Sequence, residues 1–248
     1  MAGAGGVRAT AARKLFQWAR RLDPMVAAPS RGPRTCPICS YSGPFLPAGL
    51  SPRPDARCPR CGSLERHRVL KTLVDRSQGM DALGRVLHFA PETFVEDILR
   101  PLSTGYVTTD LFMPNVDQRL NIEKLDLEDA SFDTVICIHV LEHVSDAAAL
   151  PELLRVLRPG GTAVLDVPIA WSMDETYENE AVTSETDRLL HFGQPDHVRM
   201  YGRDFADRVA AAGFEVEHFT IPSPDAIGMG IGHGARMLLA RRPQAVAA

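Results

Sequence analysis

No run of about 18 consecutive apolar residues occurs in the chain, so no transmembrane helix is expected. The first residues lack the apolar centre of a signal peptide, because Arg13, Lys14, Arg20 and Arg21 interrupt every candidate. A strong charge of one sign is also missing. The formal balance over 248 residues is −4, which argues against a protein that coats nucleic acid with its whole surface. Internal repeats are absent, and so is a spread of cysteines that would suggest a disulfide framework. Four of the five cysteines sit as two close pairs and Cys137 lies alone in an apolar run. Without a secretion signal, such pairs point to metal before disulfides and to a cytoplasmic location.

The length suits one α/β domain of ordinary size plus a small module, with a sizeable core. Charge is unevenly placed: residues 1–68 hold twelve Lys/Arg against three Asp/Glu, a balance of +9, which leaves −13 for the rest. A basic front on an acidic body suggests either a local anionic partner or arginines that only solvate a small module. Residues 7–22 read as a basic amphipathic helix with Leu15, Phe16, Trp18 and Leu22 on its apolar side, ended by Pro24. The expected organisation is a basic helix and linker over 1–30, a cysteine module with its connecting helix over 31–72, and one large domain over 73–248.

From residue 81 short apolar strands alternate with helices. Strands are expected at 85–89, 106–109, 132–138, 162–167, 214–219 and 235–240, with helices at 63–78, 92–100, 146–157 and 203–212. Pro151 makes a later start at Pro151 itself an alternative for the third helix, and Pro159-Gly160-Gly161 is expected to stop it. Alternation of this length means parallel βαβ units in a doubly wound, mostly parallel sheet. In such sheets ligands bind at the carboxyl ends of the strands near the switch point.

Cys36-Pro37-Ile38-Cys39 and Cys58-Pro59-Arg60-Cys61 are separated by eighteen residues. Two residues between cysteines let both thiolates of a tight turn point at one ion, and two such knuckles complete a tetrahedral shell. Gly62 suits the left-handed turn of a knuckle. Four soft thiolates favour zinc, and a filled shell leaves no position for water, so a structural zinc ribbon is expected.

The block Ser131-Phe132-Asp133-Thr134-Val135-Ile136-Cys137-Ile138-His139-Val140-Leu141-Glu142-His143-Val144 is followed by Leu154-Arg155-Val156-Leu157-Arg158-Pro159-Gly160-Gly161 and by Ala212-Gly213-Phe214-Glu215-Val216. In this order the three resemble the class I S-adenosylmethionine-dependent methyltransferases, type 11 branch, over most of residues 85–240. The resemblance implies a Rossmann-like fold and S-adenosyl-L-methionine as cofactor. Asp110, at the end of the second strand, would meet the ribose hydroxyls, with Leu111 beside it, and Asn121-Ile122 would hold the adenine. His139 would line the methionine part, and Ile138 and His143 are further candidate cofactor residues. The family's glycine-rich first loop is replaced here by His88-Phe89-Ala90-Pro91-Glu92. Ala90 is small enough for close approach, Pro91 fixes one turn geometry, and Glu92 would receive the cofactor's ammonium. A similar His-x-Ala-Pro-Glu loop, with a run like Cys61-Gly62-Ser63-Leu64-Glu65-Arg66-His67-Arg68, belongs to zinc-ribbon members of this family.

Methyl transfer from a sulfonium is an in-line displacement in which the protein mainly aligns acceptor and methyl. A carboxylate acceptor needs no base, whereas a hydroxyl gains from one, and His139 and His197 are the candidate catalytic residues. Residues 169–202 read as a long insertion of the kind that forms a lid, and Trp171, His191, Arg199 and Tyr201 are its candidate substrate residues. Arg66, His67 and Arg68 could reach an anionic group on the acceptor. The expectation is O-methylation of a small molecule or peptide. RNA methylation with the ribbon as docking module, and a non-catalytic zinc-stapled binding protein, remain alternatives. Steep salt dependence of RNA binding would favour the first of these.

Overall fold

Two compact units make up the computed structural model, which describes residues 32–49, 52–77, 83–232 and 236–244. The basic helix expected at 7–22 lies outside the described residues. One unit falls within Met1–Asp75 and Thr220–Ala235, the other within Arg76–Phe219 and Arg236–Ala248. The expected division at residue 73 placed all of the C-terminal chain in the large domain. The stretch from Thr220 belongs with the cysteine module.

That module is built from two short hairpins and a helix. Strands β1 (Arg34–Thr35) and β2 (Ser42–Gly43) pair antiparallel, as do β3 (Leu46–Ala48) and β4 (Arg53–Arg57). Helix α1 (Glu65–Arg76) follows, with Glu65 in its first turn and Arg76 in its last, charges that complement the helix dipole. Its first turn is closed by His67, whose Nδ1 accepts from the Leu64 N–H at 3.1 Å. Apolar core is scarce around the cysteines: Cys36, Phe45 and Cys58 form one small cluster.

Arg68 supplies what the apolar contacts do not. Fully buried at 0% exposure, its guanidinium donates to the carbonyls of Ser63 (2.7 Å), Ala56 (3.0 Å) and Gly230 (2.6 Å) and lies over the Phe45 ring. Gly230 arrives from the distant stretch that carries the short helix Ser223–Gly228. It adopts φ +64, and a Cβ there would meet Asp55 O and Phe45 Cδ2 at 2.8 Å, so only glycine fits.

In the larger unit, β5 (Arg85–Phe89), β6 (Gly105–Thr109), β7 (Phe132–Ile138), β8 (Leu157–Asp166), β11 (Glu215–Thr220) and β12 (Arg236–Arg241) form one sheet in the order β11-β12-β8-β7-β5-β6. β6, β5, β7 and β8 are parallel neighbours, while β12 runs antiparallel to β8. Helices α2 (Thr93–Leu99), α3 (Asp146–Val156) and α5 (Phe205–Ala211) fall between strands as expected, with α4 (Glu185–Phe192) added inside 169–202. Val86, Leu87, Val135, Ile136, Val164 and Leu165 are all buried. This is why the strands read as unbroken apolar runs without alternation. The chain leaves β5 for β6 on one side and returns to β7 on the other, which puts the switch point at the carboxyl ends of β5 and β7.

Helix α3 begins at Asp146 as expected, and the alternative start at Pro151 does not hold, because Ala149, Leu150, Leu153 and Val156 bury one continuous stripe across the proline. Two expectations need correction. Pro159-Gly160-Gly161 does not stop that helix: β8 has already started at Leu157. The helix end is closed instead by Arg242, whose Nη1 donates to the carbonyls of Arg155 (2.9 Å) and Leu157 (2.6 Å). The segment 169–202 is not one long loop. Strands β9 (Tyr177–Glu178) and β10 (Arg199–Met200) pair within it, and α4 is capped by Ser184 at one end and left-handed Gly193 (φ 81) at the other.

Candidate functional site

Each cysteine knuckle closes on its own backbone. Cys36 O accepts from the Ser40 N–H and Cys58 O from the Gly62 N–H, both at 2.9 Å, and Ser40 (φ 59) and Gly62 (φ 79) take the left-handed conformation after each pair. The Sγ atoms lie 3.8 Å apart for Cys36 and Cys61 and 3.6 Å for Cys39 and Cys58. All four fall within 4.8 Å of one another. A disulfide would need a separation near 2.05 Å. A tetrahedron with metal–sulfur bonds of about 2.3 Å has edges of roughly 3.8 Å, which these distances match.

At the switch point of the sheet a cavity of about 440 Å³ opens, lined by Phe89 and Ala90 after β5, by Asp110, Leu111 and Phe112 after β6, and by His139, Val140, His143 and Val144 after β7. Leu120, Asn121, Ile122 and Asp196 complete it. Another cavity of similar volume lies beside Thr134 and Thr162 toward the amino ends of β7 and β8, away from the switch point where ligands of such sheets bind.

Eight of the expected cofactor residues therefore converge: Phe89, Ala90, Asp110, Leu111, Asn121, Ile122, His139 and His143. Four do not line the cavity. Ile138 is buried within β7. Pro91 and Glu92 lie in the turn into α2, where Glu92 is the helix N-cap residue. His88 points into the sheet, where its Nδ1 pairs with the Tyr106 hydroxyl at 2.9 Å, and burial pushes its imidazole down to about 4. The structure adds Phe112, Leu120, Val140, Val144 and Asp196. Nothing in their residue types marks them as ligand contacts, since they are brought there by the turns after β6 and β7.

The loop that lacks glycines keeps the backbone geometry that glycine would provide. Ala90 sits at φ 47 and its N–H donates to Thr109 O at 2.9 Å, tying the end of β5 to that of β6. His139 is likewise left-handed, at φ 55, with its N–H on Asp166 O. Non-glycine residues in this region are strained and cluster at functional sites. The turn after β6 is organised by Asp110, whose Oδ1 accepts from the N–H groups of Phe112 (2.6 Å) and Met113 (2.7 Å). Asn121 Oδ1 takes the Glu123 N–H in the same way.

His139 is a third exposed and held between carboxylates: Nδ1 lies 3.1 Å from Glu142 Oε1 and Nε2 lies 3.6 Å from Asp166 Oδ2. His197 does not line the cavity. It is buried against His143, the rings edge-on with centroids 4.8 Å apart. Burial, with His143 and His139 adding to it against the opposing charges of Glu142 and Asp196, lowers its affinity for a proton.

Four candidate substrate residues prove to be structural. Arg68 is buried with Nη1 and Nη2 on backbone carbonyls, and His67 is buried and caps its own helix, so neither offers a face to a ligand. Arg199 is buried, with Nη1 on Leu141 O (3.0 Å) and Val144 O (2.6 Å). Tyr201, at 0% exposure, donates to Asp146 Oδ2 at 3.1 Å. Burial would raise the Asp146 carboxyl, but hydrogen bonds from Arg208 and the charges of Arg199 and Arg208 bring it below the ordinary range. Arg66 is half-buried on α1. Trp171 and His191 are exposed, Trp171 under the Arg236 guanidinium and His191 on the Tyr177 hydroxyl, and neither lines the cavity.

Fold and site define a class: a doubly wound α/β domain with a ligand cavity at its switch point. Residues 61–165 match the family described as Methyltransferase domain, a stretch that includes β5 to β8 up to Leu165. A probable S-adenosylmethionine-dependent methyltransferase of Mycolicibacterium smegmatis is 34% identical over 131 residues, 52% of this chain and 44% of that protein. A 37.1 kDa protein of a Streptomyces fradiae transposon, with no stated activity, is 37% identical over 111 residues, 42% of this chain and 30% of its own. The chain thus spans less than half the length of either relative. Among solved structures, the YcgJ protein of a Bacillus superposes with a TM-score of 0.48 at 16% identity, over 72% of this chain and 100% of its own. A Burkholderia thailandensis 1,6-didemethyltoxoflavin-N1-methyltransferase with bound S-adenosylhomocysteine gives 0.46 at 20%, over 71% and 77%.

Proposed function

We propose that the larger unit is an S-adenosylmethionine-dependent methyltransferase. The observation that carries this reading is the cavity at the ends of β5, β6 and β7, built by the stretch that matches a methyltransferase domain. The donor set suits the cofactor's parts. Asp110 Oδ1 is engaged by the turn, leaving Oδ2 for ribose hydroxyls, while Phe89, Leu120 and Ile122 give apolar surface for a purine. Asp110 and Asp196 in the wall, with Glu142 and Asp166 on either side of His139, favour a ligand that carries positive charge. When bound, the cofactor supplies an activated methyl group on a sulfonium.

The residues of this chain then have two tasks, alignment and proton removal. His139 is suited to the second: it faces the cavity, and its contact with Glu142 orients the ring. This favours an acceptor with an ionisable hydroxyl over one that needs no base, and supports O-methylation of a small molecule or peptide. His197, buried and outside the lining, suits a supporting role. The proposed function of the cysteine module is to bind one structural zinc, for which the support is the sulfur geometry.

Calorimetric titration with S-adenosylmethionine and its demethylated product tests the cofactor site. Both should bind, and Asp110→Ala should weaken both by about tenfold or more, as expected for loss of a paired charge-assisted contact. Absence of binding by the unmodified protein would sink the reading. Incubation of candidate acceptors with a methyl-deuterated cofactor, followed by mass spectrometry, then identifies the acceptor. His139→Gln should lower turnover with a hydroxyl acceptor while leaving cofactor affinity within a few-fold.

A further inference from the structure

We propose that Glu142, His143 and His197 form a binding site for one divalent transition-metal ion at the edge of the switch-point cavity, separate from the four cysteines. One ligand atom from each of the three residues lies within 4.8 Å of the others. Ligand atoms around a tetrahedral ion at about 2.1 Å stand roughly 3.4 Å apart, so side-chain adjustments of about an ångström close the set.

The strongest sign is the carboxylate. Glu142 is only 1% exposed, and its Oε1 is met by His139 Nδ1 at 3.1 Å, yet its Oε2 is shielded from solvent with no hydrogen-bond partner. A buried carboxylate oxygen without a partner is costly and calls for a cation or donor. Two imidazoles stand beside it, edge-on at an 86° interplanar angle. The nitrogen available on His143 follows from its contacts. Its Nδ1 lies 3.2 Å from Asp196 O, and a carbonyl can only accept, so Nδ1 carries the proton and Nε2 keeps the lone pair. A ligand histidine whose other nitrogen donates to a carbonyl is the usual outer-shell arrangement.

Local structure holds the three in place. Glu142 and His143 belong to the single turn Leu141–His143 that follows β7, and His197 lies just before β10. The Val198 N–H donates to Glu142 O at 2.9 Å, and Arg199 Nη1 bridges Leu141 O and Val144 O. Arg199, unavailable to substrate, thereby becomes a positioning residue. Two imidazoles and one carboxylate suit zinc, cobalt, iron or manganese better than magnesium or calcium, which prefer shells of oxygen. Three protein ligands leave at least one coordination position open, and His143 and Asp196 also line the cavity.

The test uses the full-length protein with its cysteine site loaded with zinc, titrated with cobalt(II) and followed by visible absorption and by metal analysis after desalting. One further equivalent of cobalt should be retained, with d–d bands and no thiolate-to-cobalt charge transfer. His143→Gln, at a half-exposed position, and His197→Gln should each weaken cobalt binding about tenfold or more. His191→Gln, an exposed histidine elsewhere in the same unit, should leave it unchanged. The proposal is overturned if no cobalt is retained, if the only cobalt signal has thiolate character, or if His143→Gln binds as tightly as the unmodified protein. None of these readouts depends on methyl transfer.

Discussion

The two units differ in how much apolar core backs their polar contacts. Around the cysteines the buried cluster of Cys36, Phe45 and Cys58 is small, and the short hairpins are tied by four converging thiols and one guanidinium, with Val69, Leu70 and Leu73 buried on α1 nearby in the chain. The larger unit has a continuous core running from Leu87 in β5 to Ala240 in β12. In the first, a few polar contacts around the knuckles should carry a large share of the stability. In the second, many small apolar terms can absorb the loss of any one, which leaves room for strained or polar residues at the site.

Removing the thiolates should break that contrast most sharply. For Cys39→Ser, or for the unmodified protein under a strong chelator, binding energy on the order of 10 kcal/mol that couples to folding would be lost. Hydrogen exchange read by mass spectrometry should then show loss of protection over 34–57 and 65–75, while 85–89 and 132–138 stay protected. Uniform loss across both stretches would refute the idea of separate stabilisation. Arg68→Met comes next. It removes donors from three carbonyls, and orphaned buried acceptors cost about 1–3 kcal/mol each. Residual zinc content and the same exchange experiment should show a loosened module, whereas an unchanged pattern would mean that Arg68 is a bystander.

The larger unit holds its own buried titratable group, and pH should expose it. Burial lowers His88 to about 4 from an ordinary value near 6.5, with Glu92 opposing and Arg100 adding to the effect. Between these values the unfolded chain binds a proton that the folded one refuses. Stability from this group is therefore fully present above about 6.5 and is lost as pH falls toward 4, by at most about 3 kcal/mol. His88→Asn keeps an acceptor for the Tyr106 hydroxyl but cannot titrate. Urea unfolding at several pH values should show a shallower acid slope for the variant, and parallel slopes would contradict the assignment.

How much of this was legible beforehand also divides between the units. The strands β5 and β7 and the pair of knuckles are written in local patterns, apolar runs and Cys-x-x-Cys spacing, and the structure places them at the expected residues. Gly230 is different. Its partners Arg68 and Phe45 lie far away in sequence, so nothing near 220–232 announces that this stretch belongs with the cysteines. Arg199 and Tyr201 were misread for a related reason: a charged or polar residue in a presumed lid looks like a substrate contact until its partners, Leu141, Val144 and Asp146, are known. Glu142 carried no signal of its own, because burial of a carboxylate is a tertiary property.

The smallest expected effect concerns Ala90, and it tests the comparison at its finest point. Where the related pattern has glycine, this chain holds an alanine at φ 47. The left-handed conformation costs an L-residue about 1–2 kcal/mol, while glycine adds about 0.5–1 kcal/mol of unfolded-state entropy. Ala90→Gly should therefore stabilise the larger unit slightly, by about 0.5–1 kcal/mol. Ala90→Val, with a branched Cβ in the same conformation, should destabilise it by more than the glycine gains. Urea midpoints of the two variants should move in opposite directions. Because Ala90 also lines the cavity, the valine should weaken S-adenosylmethionine binding and the glycine should preserve it. If valine is tolerated as well as glycine, the backbone at this turn is not under the constraint described, and the missing glycines say nothing about the site.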